Sequence, residues 1–458
     1  MRIDPRHSGS AWLASIRVGL LVLSLFALVS AACTSSLAVD QAPGPELPAG
    51  FRRIESRHLI LDTDLPPDPD VDVLGEAFDQ AFPQWCAIFK IDPEKNSFWR
   101  VHGYLMKSRE RFEAAGLAPL DLPRFKSGFA RGDDLWFFDQ SSDYYRRHLL
   151  LHEGTHAFMN RFLGGVGSAW YAEAMAELLA THRYQDGKLT LNYFPRSRDE
   201  VSKWGRIEIV QTAFAKRQAL SLGKIFNYDS RAHQDNDAYG WCWATAAFLD
   251  RNPRYHERFW KLIEWAGRPE FDREAQRILE ANPAELSEDW QLYVANLDYG
   301  YDFARMQVPL EIGQPLSDDG IHVTVAADRF WQPSGVRVER GDSVRVRAKG
   351  RYQLADGEKP WMSEPDGVTI RYYQGRPLGM LLMAVRADAL TPQEATGLIK
   401  PMAVGSDATL KFDRAGTLYF RVNDSAGQLA DNSGSLDVEI TRATRAQVER
   451  TTKSAAKR

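Results

Sequence analysis

A chain of 458 residues is too long for one ordinary hydrophobic core, so two or three folded units are expected. Hydrophobic residues make up 44% of the chain and charged residues 26%, which is typical of a globular protein. The formal net charge of −4 is small for this length. The composition therefore excludes a general electrostatic attraction to nucleic acid or to anionic membranes.

The N-terminus has the composition of an export signal. Three arginines precede the apolar run VGLLVLSLFALVSAA, which has the length of a signal-peptide core and is short for a membrane span. The run ends at SAAC, which resembles a bacterial lipoprotein signal. The resemblance implies that residues 1–33 are the signal peptide and that Cys33 is the lipidation site. Ser30 and Ala32 also fit ordinary secretory cleavage. We therefore expect an exported protein of the cell envelope, either attached to the membrane by a lipid anchor or simply secreted.

Residues 34–50 are rich in small residues, Pro and Gly, which predicts a flexible tether. From residue 51 to residue 305, segments with strand periodicity alternate with helical segments, and the second half is mostly helical. HLILDT and FWRVHGYLM are predicted strands, and DDLWFFDQ is a predicted edge strand. SDYYRRHLLLHEGTHAFMNRFL is a predicted helix that starts at a Ser/Asp pair.

Residues 315–441 consist of short alternating segments separated by Gly, Pro, Asn and Asp, which predicts a small β-sandwich. Residues 442–458 are basic and lack apolar periodicity, which predicts a disordered tail. The predicted fold class is therefore an α+β domain followed by an all-β sandwich. Cys86 and Cys242 are predicted to be buried thiols, with a single disulfide between them as the alternative.

The segment LLLHEGTHAFM carries the first candidate site. On a helix, His152 and His156 lie on one face and can bind one ion, while Glu153 is angled toward a water beside that ion. The apolar flanks predict a buried helix, where two histidines and a carboxylate need partners. Zinc is a suitable partner because it prefers imidazole and carboxylate ligands. A polar helix face without metal is the alternative. Glu173 and Glu177, one turn apart on the next predicted helix, are candidates for the third ligand.

The paired motifs HEGTH and AWYAEAMAE resemble those of the gluzincin zinc metallopeptidases, in an exported bacterial form, over roughly residues 52–300. The resemblance implies a gluzincin-like domain in which Glu173 is the third zinc ligand and Glu177 orients a ligand histidine. Ala174 stands where the family usually has Gly, and the gap between His156 and Glu173 is short. Glu177 therefore remains an alternative ligand.

A peptidase of this kind also needs a hydrogen-bond donor for the oxygen of the attacked carbonyl. In related peptidases a tyrosine or histidine downstream of the zinc ligands has this role. The segment HQDNDAYGWCWATAAFL offers His233 and Tyr239, and Tyr239 is the predicted donor. The alternative is that Tyr239 only packs against the neighbouring tryptophans.

A second candidate site lies in the predicted β domain. The segment VNDSAGQLADNSGSLDVEI concentrates Asp424, Asp431 and Asn432 in a turn, and calcium binds carboxylate, amide and carbonyl oxygens. Such turns are also ordinary loop chemistry. Most of the predicted β domain is similar to the calcium-dependent galactophilic lectins of bacteria. That resemblance implies calcium ligation by these three side chains and by the backbone carbonyls of Gln428 and Leu354.

Together these features predict an exported zinc metallopeptidase that hydrolyses peptide bonds at the cell envelope and carries a calcium-binding, lectin-like domain. Its expected cofactors are Zn²⁺ and Ca²⁺. Its expected partners are a peptide or protein substrate, a glycan, and the membrane through a lipid anchor. One alternative is a carbohydrate-binding surface lipoprotein whose peptidase-like domain is not catalytic. Another is a structural lipoprotein whose site merely holds zinc.

Overall fold

The computed structural model describes residues 47–229, 236–444 and 447, and these described residues belong to one compact unit. The predicted signal peptide with Cys33, most of the tether, His233 and nearly all of the basic tail lie outside the described residues. Within the described part of the chain, no helix is both long and apolar enough to cross a membrane.

A five-stranded sheet forms the first part of the chain. Its strands are β1 (Arg52–Glu55), β2 (Leu59–Thr63), β3 (Val101–Met106), β4 (Gly128–Arg131) and β5 (Asp134–Phe138). The order is β1-β2-β3-β5-β4, with β2, β3 and β5 parallel and the two edge strands antiparallel. The prediction of an edge strand at DDLWFFDQ is wrong, because β4 covers the outer side of β5. The short segment GFAR has too few residues to show an apolar period.

Several helices pack on the two faces of this sheet. The helices in the described residues are α1 (Pro69–Asp72), α2 (Leu74–Phe89), α3 (Arg109–Ala114), α4 (Asp143–Leu163), α5 (Ala169–Ala180), α6 (Arg206–Ala215), α7 (Leu222–Phe226), α8 (Asn236–Arg251), α9 (His256–Lys261), α10 (Phe271–Leu279) and α11 (Pro283–Asn296). Of these, α2 and α4 pack on one face of the sheet, and α3 packs on the other. A small hairpin of β6 (Arg183–Gln185) and β7 (Lys188–Thr190) follows α5. This hairpin interrupts the mostly helical second half of the predicted domain.

The remaining strands follow α11. They are β8 (Gln314–Pro315), β9 (Ile321–Ala326), β10 (Gln332–Val338), β11 (Ser343–Lys349), β12 (Tyr352–Ala355), β13 (Trp361–Ser363), β14 (Val368–Tyr373), β15 (Arg376–Leu378), β16 (Leu381–Arg386), β17 (Met402–Ala403), β18 (Asp407–Lys411), β19 (Gly416–Val422) and β20 (Ser435–Arg442). They form a sheet of order β17-β16-β19-β10-β8 and a sheet of order β18-β11-β20-β9, besides the hairpins β12-β13 and β14-β15. Residues of both sheets, among them Val346 and Phe420, share one hydrophobic cluster.

The chain is thus a mixed α and β protein, as the sequence predicts. The helical part and the C-terminal sheets are in direct contact, because the hydrophobic cluster of the helices includes Trp331, Leu382 and Tyr419. Glu288 of α11 and Arg386 of β16 add a buried ion pair, with 2.8 Å between Oε2 and Nη2. Cys86 and Cys242 are both buried and free, as predicted, so no disulfide joins them.

Candidate metal centre

Helix α4 is the scaffold of the first candidate site. It begins after Ser142, whose Oγ accepts a hydrogen bond from the Tyr145 amide, and it ends at Gly164 in the left-handed region, with φ 73°. Gly154 allows α4 to pack closely against α2, since a Cβ at this position would lie 2.6 Å from the ring of Phe78. His152, two positions before Gly154, is also buried.

The structure brings His152, His156 and Glu173 together. The Nε2 atoms of the two histidines are 3.2 Å apart. Oε2 of Glu173, on α5, lies 3.2 Å from Nε2 of His152 and 3.8 Å from Nε2 of His156. One nitrogen or oxygen from each residue lies within 4.8 Å of the others, so the three could hold a metal ion.

These separations fit one small ion. Donor atoms bonded to a tetrahedral zinc at ~2.0–2.1 Å lie roughly 3.3–3.4 Å apart. Oε2 of Glu173 is buried and forms no hydrogen bond to any described residue, although it lies so close to His152. A buried carboxylate oxygen in this situation is costly unless a further partner binds it. The donor set and the spacing therefore fit a zinc-sized cation.

Glu177 lies on the other side of His152. Its Oε1 is 3.3 Å from Nδ1 of His152, and its two oxygens each accept a hydrogen bond of 2.9 Å from Arg206. His148 approaches Oε2 of Glu177 to 3.3 Å. His148, His152 and Glu177 form a second, overlapping group that could hold a metal. Because Arg206 already supplies positive charge to Glu177, this carboxylate is better suited to orient His152.

Charge on the site follows from these contacts. Burial opposes ionisation of Glu173, but the neighbouring imidazoles of His152 and His156 outweigh it and lower the pKa of Glu173 to about 2. Burial also opposes a charge on His152, and the Glu173 and Glu177 carboxylates nevertheless raise the pKa of His152 well above its ordinary value. The centre therefore concentrates carboxylate charge around the imidazoles.

Glu153 is buried, and its carboxylate lies against Gly128 of β4 at the edge of the first sheet. A Cβ added to Gly128 of β4 would lie 2.3 Å from Oε1 of Glu153, so a larger residue there would displace this carboxylate. Burial raises the pKa of Glu153 above its ordinary value, which makes the carboxylate a better proton acceptor. Glu153 is thus beside the edge strand and adjacent to the candidate metal ligands.

Tyr239 lies at the same centre. Its ring is 5.7 Å from the ring of His152, and the guanidinium of Arg206 lies 5.5 Å from its centroid. Burial and the nearby carboxylates raise the pKa of Tyr239, so its hydroxyl stays protonated and can donate a hydrogen bond. The structure therefore brings Tyr239, the predicted donor, close to His152. The two residues are more than 80 positions apart in the sequence, so the sequence alone does not show this proximity.

The predicted calcium residues also lie together. Oδ2 of Asp424 accepts a hydrogen bond of 3.0 Å from Nδ2 of Asn432, and both residues are buried. Oδ1 of Asn432 and Oδ1 of Asp431 are buried and form no hydrogen bond to any residue in the described ranges. Burial raises the pKa of Asp424 to about 6. The turn thus contains buried oxygens without a hydrogen-bond partner in the part of the chain that the structure describes.

Gln428 and Leu354 border this turn. The Gln428 side chain is exposed and accepts a hydrogen bond of 3.2 Å from Arg371, and the Leu354 side chain is buried. The residue before Leu354, Gln353, pairs through its backbone with Ser433. This pairing brings the two segments that were predicted to donate carbonyl oxygens beside each other.

Comparisons with known proteins assign no family. No protein-family profile matches this sequence, and no curated protein matches it. A solved structure described as "EclA N-terminal domain; PllA-like lectin" is similar to part of the chain at 21% sequence identity. It covers 28% of this chain and 100% of its own, with a TM-score of 0.21. The similarity to this lectin domain is weak, and the gluzincin assignment stays a prediction.

Sequence reasoning did not identify Arg206, Gly128 or His148. The sequence does contain a signal for His148. It lies four residues before His152, the same spacing that separates His152 from His156, so a helix places all three on one face. Arg206 and Gly128 have no local signal, since they meet Glu177 and Glu153 only through tertiary packing.

Proposed function

We propose that this protein is a zinc-dependent peptidase in which His152, His156 and Glu173 hold the metal. The observation that carries the proposal is the convergence of three donor atoms at separations of 3.2–3.8 Å, one of them a buried carboxylate oxygen without a hydrogen bond to a described residue. Zinc bound there would act as a Lewis acid on a peptide carbonyl and would make water more acidic. We further propose that the enzyme acts at the cell envelope, as its export signal predicts.

The proton transfer, the stabilisation of the carbonyl oxygen and the orientation of the ligands are assigned to side chains of this protein. Glu153 accepts a proton from the attacking water and passes it to the nitrogen of the leaving amine. Tyr239 donates a hydrogen bond to the oxygen of the attacked carbonyl, where negative charge develops. Arg206 holds Glu177, and Glu177 in turn fixes the orientation of His152.

Strand β4 is suited to hold an extended peptide. Within the described residues it pairs with β5 on one side and forms the edge of its sheet on the other. An extended substrate can add to such an edge through backbone hydrogen bonds. Because Gly128 of β4 lies against Glu153, a peptide bound along this edge passes close to the general base.

Removal of the metal tests the proposal. Protein stripped with a chelator should lose hydrolysis of a mixed peptide pool, and stoichiometric zinc should restore it. The His156→Ala variant should bind zinc at least tenfold more weakly and should not recover at the same zinc concentration, because it lacks one of three ligands. Peptide cleavage followed by mass spectrometry, beside elemental analysis of each sample, gives both readouts. Full hydrolysis by a sample without zinc would contradict the proposal.

A calcium site in the C-terminal sheets is a second candidate function, with a glycan as the ligand that it would help to bind. The buried oxygens of Asp431 and Asn432, which have no hydrogen-bond partner among the described residues, lie beside the buried carboxylate of Asp424 and support it, because calcium takes six to eight oxygen ligands. If the first site proved non-catalytic, this turn would make the protein a carbohydrate-binding surface protein.

Calcium should therefore raise the thermal unfolding temperature of the wild type but not of Asp424→Ala. At a calcium concentration of 100 times Kd, the stabilisation should be about 2.7 kcal/mol. Asp413→Ala is the matched control, because Asp413 has an 81% exposed side chain that is paired with Arg414. Differential scanning calorimetry checks this prediction, and a wild type that does not respond to calcium would exclude the site.

A further inference from the structure

A cavity of about 550 Å³ lies beside the N-terminal part of α4, and none of its lining residues belongs to the candidate metal centre. Arg147 of α4 lines it, and this side chain is 93% buried, since its exposure is 7%. The wall also includes Arg183 and Tyr184 of the hairpin that follows α5. The wall of the cavity thus includes the largely buried guanidinium of Arg147 and further polar side chains.

Arg147 has no anionic partner in the described part of the chain. Its Nε donates a hydrogen bond of 3.0 Å to Nε2 of His182, and its guanidinium lies 4.3 Å from the ring centroid of Tyr184. No carboxylate of a described residue lies within ion-pair distance, and neither terminal nitrogen forms a hydrogen bond to a described residue. Tyr184 and His182 therefore solvate the cation without neutralising it.

His182 is a neutral hydrogen-bond acceptor for Arg147. Burial lowers the pKa of His182 well below its ordinary value, so its ring is neutral. Nδ1 lies 2.8 Å from the carbonyl oxygen of Ala180, which fixes the proton on Nδ1 and leaves the lone pair of Nε2 for Arg147. A buried cation is costly unless an anion pairs with it. Arg147 lines the cavity, and its two terminal nitrogens form no hydrogen bond to a described residue.

We propose that this cavity binds a small monocarboxylate, which pairs with the two terminal nitrogens of Arg147. The guanidinium fork matches the two oxygens of a carboxylate. Asp143 and Glu200 also line the cavity, so a singly charged anion is favoured over a phosphate dianion. The rings of Tyr184 and Tyr193 give the walls an aromatic character, which suits a ligand with an apolar body.

Benzoate is the probe, because it combines one carboxylate with an apolar ring. In thermal unfolding of the full chain at constant ionic strength, benzoate in exchange for chloride should stabilise the wild type with half-saturation in the millimolar range. Arg147→Gln should require at least tenfold more benzoate, because it loses a charge-assisted hydrogen-bond pair. Arg273→Gln should respond like the wild type, because Arg273 on α10 has a 72% exposed side chain.

Three further results test the location of the bound ligand and its chemical class. Benzoate bound at the metal centre would stabilise Arg147→Gln as strongly as the wild type, and that outcome overturns the proposal. Inorganic phosphate that acts through Arg147 more strongly than benzoate would overturn the carboxylate class. Crystals of the wild type soaked with 4-bromobenzoate provide a readout that needs no variant: the bromine signal should lie in the cavity beside Arg147, and its absence there contradicts the proposal.

Discussion

Glu153→Gln should reduce peptide hydrolysis by about 10²–10⁴-fold while the protein keeps its zinc. Glutamine has the shape of glutamate, so the close contact with Gly128 is preserved, but its amide cannot accept the proton of the attacking water. The metal ligands His152, His156 and Glu173 are unchanged in this variant. Initial rates at saturating substrate, with zinc content measured on the same samples, check the prediction.

The control for Glu153→Gln is Glu76→Gln, which makes the same chemical change on an exposed face of α2 and should retain full activity. Two outcomes would count against the assigned role. Undiminished hydrolysis by Glu153→Gln would mean that another group is the base. Loss of zinc would mean that Glu153 binds the metal. A wild type that cleaves nothing, yet binds zinc and a glycan, would favour the carbohydrate-binding alternative.

Glu288→Leu should lower the free energy of unfolding by about 3–5 kcal/mol, because it leaves Arg386 buried without its partner. In the wild type, the Glu288 carboxylate accepts hydrogen bonds from Arg386 at 2.8 and 3.1 Å and from Oγ1 of Thr396 at 2.8 Å. Both charged groups are almost fully buried where α11 meets β16. Urea-induced unfolding, followed by tryptophan fluorescence, measures the loss.

An exposed ion pair provides the comparison for Glu288→Leu. Asp121→Leu removes a pair with Arg131 in which the Arg131 and Asp121 side chains are 42% and 76% exposed, so its loss should cost about 1 kcal/mol or less. The double variant Glu288→Leu/Arg386→Met should recover most of the lost stability, because it buries no unpaired charge. Equal, small effects of Glu288→Leu and Asp121→Leu would show that the pair does not stabilise the contact between the helices and the C-terminal sheets.

The fold could be predicted where the signal is local. The strands at Leu59–Thr63 and Val101–Met106 show apolar residues with strand periodicity, and α4 shows a Ser/Asp start before a long apolar period. Strand β4 is not predicted from the sequence, because a segment of four residues that begins with glycine is too short to show an apolar alternation. Strand β10 is not predicted as a strand from the sequence, because its Pro and Gly are typical of loops. In the structure, pairing with β19 overrides that preference.

In the candidate site too, residues grouped by local geometry could be predicted, and residues that meet through tertiary packing could not. His152, Glu153 and His156 could be grouped from the sequence because a helix places them by its own geometry. Glu173 required a resemblance to a known motif, since the loop between α4 and α5 decides which residue of α5 faces the histidines. Arg206 contacts Glu177 from 29 positions away, and its role follows only from helix packing. Tertiary contacts of this kind leave no pattern in a single sequence.

The location of bound zinc tests the central claim most directly. Crystals of protein purified without chelator, measured on both sides of the zinc absorption edge, reveal the metal by its anomalous scattering. We expect one zinc per chain, bonded to Nε2 of His152, Nε2 of His156 and a carboxylate oxygen of Glu173. A zinc bound between His148, His152 and Glu177, or crystals that take up no zinc, would contradict the assigned metal centre.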